Sequence, residues 1–168
     1  MALTSKIITN IVSTLTNPLD LTTPAAPHAI KKSLALATGT GANQADLVFS
    51  DTRTLGASAN EDLDLAGVLT DPFGIVMTFA RIKMMYFFAA AANTNNVEIG
   101  GAAATQFVNW VNAAADVIIL RPGGVFLLTA PDATAYAVGA GASDFLRVTN
   151  GAAGTSVTYD IVLIGASA

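Results

Sequence analysis

Apolar and polar residues alternate in short runs along most of this chain, and clusters of glycine, proline and asparagine break the runs. Leu47, Phe49 and Leu55 fall on one parity with Asp51 and Arg53 between them. Leu63 and Leu65 oppose Asp62 and Asp64, and Val157, Tyr159, Ile161 and Leu163 oppose Ser156, Thr158 and Asp160. A period of two marks a strand with one face buried. The longest apolar strand candidate covers 75–88, with Ile82, Met84, Tyr86 and Phe88 on one face and Arg81 and Lys83 on the other. Residues 116–121, the turn Pro122-Gly123-Gly124 and residues 125–129 read as a hairpin. Asn93 to Asn96 form a tip of residues that tolerate left-handed backbone, and further strands fall at 136–138 and 145–148. Helical spacing is confined to 102–112, where Phe107, Trp110 and Val111 recur, and a strand or an irregular segment fits there nearly as well. About eight to ten short strands separated by turns predict an all-β, antiparallel β-sandwich. A jelly-roll-like arrangement is preferred to a barrel because two sheets suit a chain of 168 residues.

The first 45 residues read differently. Ile7, Ile8, Ile11, Val12 and Leu15 lie among Thr, Ser and Asn, which suits a strand. Pro18, Pro24 and Pro27 then deny N–H groups to a regular ladder. Residues 31–37 form a short strand candidate and Gly39-Thr40-Gly41 a flexible joint. The division expected is therefore an extended N-terminal arm or edge strand over 1–45 and a β-sandwich domain over 46–168. An arm that reaches across a neighbour and an ordinary strand with a long loop both fit the first part.

Composition narrows the function classes. Hydrophobic residues make up 52% of the chain and charged residues 12%, about half the usual ~25%. That balance argues against disorder. A net charge of −4 with only 8 Lys and Arg argues against a nucleic-acid partner, because phosphate neutralisation needs clustered cations. The start of the chain lacks a basic segment followed by an apolar run, so no secretory signal is expected. The apolar stretch 73–92 carries Arg81 and Lys83 in its middle, which rejects it as a membrane span. With a mean hydropathy of +0.55, apolar surface has to be covered somewhere, and a low-charge surface suits an assembled protein.

Candidate chemistry is sparse. There is no cysteine, and His28 is the single histidine, so thiol chemistry and a histidine-rich zinc site within one chain are excluded. Glu61, Asp62 and Asp64 could offer oxygens to Ca²⁺, but the 12-residue calcium loop is missing and a solvated strand face explains them better. His28 sits in the proline-punctuated arm, a poor platform for a catalytic base. Trp110 is the only tryptophan, which leaves a sugar-stacking cleft thin. Pro122-Gly123-Gly124 and Gly139-Ala140-Gly141 precede no P-loop Lys-Ser/Thr and read as tight turns. Arg81 and Lys83 read as cations on a solvated edge strand or as an interface charge pair. No catalytic, cofactor-binding or metal-ligating residue is assigned, and no cofactor.

Several segments together resemble small β-rich virion proteins of tailed bacteriophages and prophages. They are Gly41-Ala-Asn-Gln-Ala-Asp46, Asp51-Thr-Arg-Thr-Leu55, Glu61-Asp-Leu-Asp-Leu-Ala-Gly67, Asn93-Thr-Asn-Asn96, Arg121-Pro-Gly-Gly124, Ala130-Pro-Asp132 and Thr158-Tyr-Asp-Ile-Val-Leu-Ile-Gly165. The resemblance implies a non-enzymatic structural protein on the capsid surface of the virion, foremost a decoration (cement) protein. It further implies a homo-oligomer, a homotrimer first, whose partner is the major capsid protein. The expected intersubunit contacts are the 1–45 arm and the exposed faces of 75–88. A tail, baseplate or fibre component is the alternative within virions, and a β-sandwich carbohydrate-binding module the alternative outside them. A carboxylate hydrolase comes last.

Overall fold

The computed structural model describes residues 2–101 and 105–168. Twelve strands follow the alternating runs: β1 (Ser5–Thr16), β2 (Ala25–Thr38), β3 (Gln44–Ala45), β4 (Leu47–Leu55), β5 (Asn60–Asp64) and β6 (Arg81–Ala89). They continue with β7 (Val97–Gly100), β8 (Val117–Leu120), β9 (Val125–Thr129), β10 (Tyr136–Ala137), β11 (Phe145–Asn150) and β12 (Val157–Ala166). One sheet runs β10-β6-β12-β4, with β9 also paired to β6, and a second runs β5-β11-β7-β8. The first three strands form a separate small sheet, β1-β2-β3. All pairings are antiparallel except a two-residue contact of β2 with β3. Among the described residues there is no helix.

The two larger sheets share one apolar core. Met85, Phe87, Ile161 and Leu163 enter it from the five-stranded sheet, and Leu63, Ile99, Leu146 and Val148 from the four-stranded one. Tyr159 stacks on Phe87 at a centroid distance of 6.1 Å. Leu63, Leu65 and the odd positions of β12 are buried as their alternation predicts. The fold is thus all-β and sandwich-like, with opposed antiparallel sheets.

Three expectations need correction. The strands at 117–120 and 125–129 do not form a hairpin: β8 pairs with β7 and β9 pairs with β6, in different sheets. The tight turn between them carries the chain across the sandwich. Gly124 N donates to Arg121 O (2.7 Å), and the turn docks on the end of β6 through Gly123 N to Ala89 O (2.9 Å) and Ala89 N to Gly124 O (3.0 Å). Gly123 adopts φ 77°, which favours glycine.

The run at 75–88 becomes a strand only from Arg81. Residues 71–74 form a turn, and Thr70 bridges Val76. Within β6 the register with β12 slips: Met84 opposes Ile164 while Ile82 opposes Gly165, so Lys83 has no partner on β12. The extra residue shifts the phase of the strand. Ile82 therefore joins the main core instead of sharing a face with Met84, Tyr86 and Phe88, and Lys83 is buried rather than solvated.

Part of the helical candidate at 102–112 lies outside the described residues. The remainder is irregular: Gln106 bridges Phe145, Phe107 is buried, and turns follow. The apolar stretch 73–92 holds the end of the 71–74 turn, an irregular segment, β6 and the turn that begins after it. No helix among the described residues is long and apolar enough to cross a membrane.

Candidate interaction surface

The structure separates the acidic residues that might have gathered round a cation. Asp62 receives both Arg147 Nε and Nη2 at 2.7 Å. Glu61 turns the other way and accepts from Arg53 Nε (2.7 Å) and the Tyr159 hydroxyl (2.7 Å). Asp64 accepts from Ala66 N (2.9 Å) in the turn that follows. Each carboxylate is engaged, and no group of three potential ligands converges among the described residues.

These pairs give two checks. Arg147 and Asp62 are partly exposed, so Arg147→Ala should cost about 0.5–1 kcal/mol in a denaturant melt, and less at high salt. Burial, then the bond to Glu61, raises the Tyr159 pKa above that of a free tyrosine. The unfolded chain then loses its phenol proton first. Stability should hold below the ordinary tyrosine pKa of ~10 and fall as pH rises past it. Tyr159→Phe should remove that share of the alkaline slope, measured as unfolding free energy against pH.

Arg81 and Lys83 act as internal clamps. Arg81 Nη1 donates to Ala133 O (2.7 Å) and Thr40 O (3.3 Å). Lys83 Nζ donates to Gly41 O (3.2 Å) and to Asp132 O. Desolvation holds the Lys83 pKa below the usual lysine value, against the pull of Asp132. The two cations tie the segment after β2 to the loop after β9. The Gly39–Gly41 joint is also braced by Gly41 N donating to Gln44 Oε1 (2.9 Å). Trp110 offers no open platform: its Nε1 donates to Phe107 O (2.9 Å) and its ring packs on Phe126.

The distinctive surface lies in the first 38 residues. β1 and β2 pair continuously from Ser5↔Leu36 to Thr16↔Ala25. The prolines do not prevent this ladder. Asn17 N bonds Pro24 O (3.2 Å) and Leu19 N bonds Thr22 O (2.9 Å), which places the hydrogen-bonded pairs at odd positions of β1. Pro27 opposes Thr14, a position whose N–H would point away from β1, so the missing donor is not needed.

Only the base of this ribbon rests on the body. Leu36 is buried and Ile7 and Leu34 half-buried, in a small cluster with Met84, Ile164 and Val48 on the outer face of the five-stranded sheet. Every residue from 8 to 33 is exposed. Val12 is 68%, Leu15 77% and Leu21, at the tip, 97% exposed. The nine pairs from Ile8 to Thr16 reach about 30 Å at ~3.4 Å per residue. An isolated two-stranded ribbon is marginal in water.

Its side chains form belts. Ile7, Ile8 and Leu34 make one; Ile11, Val12, Ala29 and Ile30 the next; Leu15, Ala25 and Ala26 a third. Between them lie Thr9, Asn10, Lys31 and Lys32, then Ser13, Thr14 and His28. Because the apolar residues come as neighbours along β1, both faces of the ribbon carry them. A ribbon meant to lie on one surface would be apolar on one face alone. His28 stands opposite Ser13 on the exposed part, distant in sequence from every other candidate.

A second apolar projection is the 68–76 segment, where Val68, Phe73, Ile75 and Val76 are exposed. Asp71 Oδ1 accepts from Phe73 N (2.8 Å) and Ile75 N (2.9 Å), so the Phe73 ring is presented by an organised turn. A cavity of about 180 Å³ lies beside it, walled by Leu3, Leu47, Phe73, Ile75 and Met77. The sequence reading missed the ribbon pairing because it treated the prolines as breaks. The usable signal was the matching of Ile7, Ile11 and Leu15 with Leu34, Ile30 and Ala26 about a tip at Asp20-Leu21.

The chain matches no protein-family model, no curated protein and no solved structure.

Proposed function

We propose that this chain is a non-enzymatic structural protein of a virion, a capsid decoration (cement) protein that binds neighbouring capsomers of the major capsid protein. The observation that carries the reading is the β1–β2 ribbon, whose apolar belts are exposed on both faces and need cover from another molecule. The ribbon acts as the N-terminal arm of a homo-oligomer, a homotrimer first. The organised Phe73 turn is the second contact.

The body fits this role as a jelly roll. Its strands pair as nested hairpins: β4 with β12, β5 with β11, β6 with β9, and β7 with β8. Rolling one long two-stranded ribbon into two sheets produces that order. Architecture of this kind occurs in shell proteins and lectins alike, so the assignment to a capsid rests on the ribbon and on the bacteriophage resemblance.

Shells assembled without this chain provide the test. The purified protein should bind them saturably and raise the temperature at which they open. Failure to bind intact or expanded shells would overturn the proposal. Phe73→Ala should change the chain's own stability by less than about 0.5 kcal/mol, because the ring is exposed, yet weaken shell binding or assembly. Parallel thermal melts and binding titrations separate the two effects.

A further inference from the structure

The outer face of the five-stranded sheet is only partly roofed. Three cross-strand rows cross it: Thr129, Met84, Ile164 and Val48; then Leu127, Tyr86, Val162 and Ser50; then Val125, Phe88, Asp160 and Thr52. The ribbon base covers Met84, Ile164 and Val48 of the first row, where Met84 is 5% exposed, and its Ile7, Thr9, Lys32 and Leu34 border a cavity with Leu127 and Thr129. Tyr86 and Val162 in the second row are half-buried, and by the third row Val125 is 59% exposed. The open third row continues the same surface that already receives a ribbon base.

Charge indicates what covers it. Residues 1–45 hold Lys6, Lys31 and Lys32 against Asp20 alone, whereas the rest of the chain holds five Lys and Arg against eleven acids. Bundling ribbons together would gather their lysines. Laying a ribbon on another body pairs opposite charges, and Asp160 stands in the bare third row beside Phe88. On the ribbon, Ile11, Ile30 and Lys32 share one face, as the pairs Ile11↔Ile30 and Thr9↔Lys32 require.

We infer that the third row is the receiving site for the ribbon of a second copy of this chain. Its Ile11–Ile30 belt lies on Phe88 and Val125, Lys32 faces Asp160, and the opposite face with Ile8 and Val12 is left for the capsid. Each copy gives one ribbon and receives one, a head-to-tail contact that closes into a ring. The inference rests on the proposed assembly and adds its acceptor.

The chain has no cysteine, so introduced thiols report cleanly. Ile11→Cys and Val125→Cys proteins, mixed and oxidised, should form the mixed disulfide at least about tenfold more than Ile11→Cys with Ile119→Cys on the other sheet, because docking raises the local thiol concentration. Asp160→Lys in the acceptor should lower the yield severalfold, and Lys32→Glu in the donor should restore it. Sedimentation is measured alongside. An oligomer that cross-links through Ile119, or only ribbon to ribbon, would overturn this acceptor and leave the assembly reading standing. A monomer at all concentrations would overturn both.

Discussion

A variant in which residues 8–33 are replaced by an Asn-Gly turn joining Ile7 to Leu34 should remain folded and lose the assembly proposed for the chain. Ile7 and Leu34 are a hydrogen-bonded pair across the ribbon, in phase with the native tip, so a two-residue hairpin turn can bridge them. The removed residues are all exposed, and the base contacts of Ile7, Leu34 and Leu36 remain. The melting behaviour of the body should therefore shift by no more than about 1 kcal/mol. The effect on assembly should be far larger. Covering Ile8, Ile11, Val12, Leu15 and Ile30, which are 42–77% exposed, is worth roughly 6 kcal/mol at about 1.2 kcal/mol each, within the ~4–15 kcal/mol that association costs. Sedimentation at matched concentrations should show a monomer for the variant and an oligomer for the intact chain. Unchanged mass would remove the ribbon from the account.

Gly165→Ala should be strongly destabilising. Gly165 faces Ile82 at the bulge of β6. An added Cβ would overlap the Arg81 carbonyl oxygen and come within 2.6 Å of the Phe79 ring. The Arg81 carbonyl belongs to a sheet backbone and cannot swing aside as a side-chain tip would. A loss of about 3 kcal/mol or more is expected, at the upper end of overpacking effects. Gly56→Ala is the control: nothing lies within 4 Å of its added Cβ, and it should be nearly neutral. Chemical denaturation of the two variants gives the comparison directly. A mild Gly165→Ala effect would mean that the bulge is pliable.

The bulge also shows why some of the fold was legible in the sequence and some was not. Period-two alternation is local, so Leu63, Leu65 and the buried side of β12 could be read from their own neighbours. One extra residue at Lys83 reverses which face the side chains take, and nothing in the run announces it. Pairing is non-local: the turn at Gly123-Gly124 was visible, but whether its flanking strands meet each other or different sheets depends on what β6 and β7 offer them. The candidate carboxylates were visible as residue types, and their dispersal among Arg147, Arg53 and Tyr159 was not, because each partner lies on another strand. For the ribbon, the composition suggested an extended first segment, whereas the alignment of Pro27 with a position needing no donor emerges only from the register.

As proposed, this chain is a multi-copy component of a capsid surface. The most direct measurement is quantitative mass spectrometry of purified particles from the source that encodes it, expressed as copies per major capsid protein. The account predicts a stoichiometric component with copies in the hundreds per particle. A few to tens of copies would contradict the capsid assignment and place the chain in the tail or at a vertex, and its absence from particles would contradict the virion reading altogether.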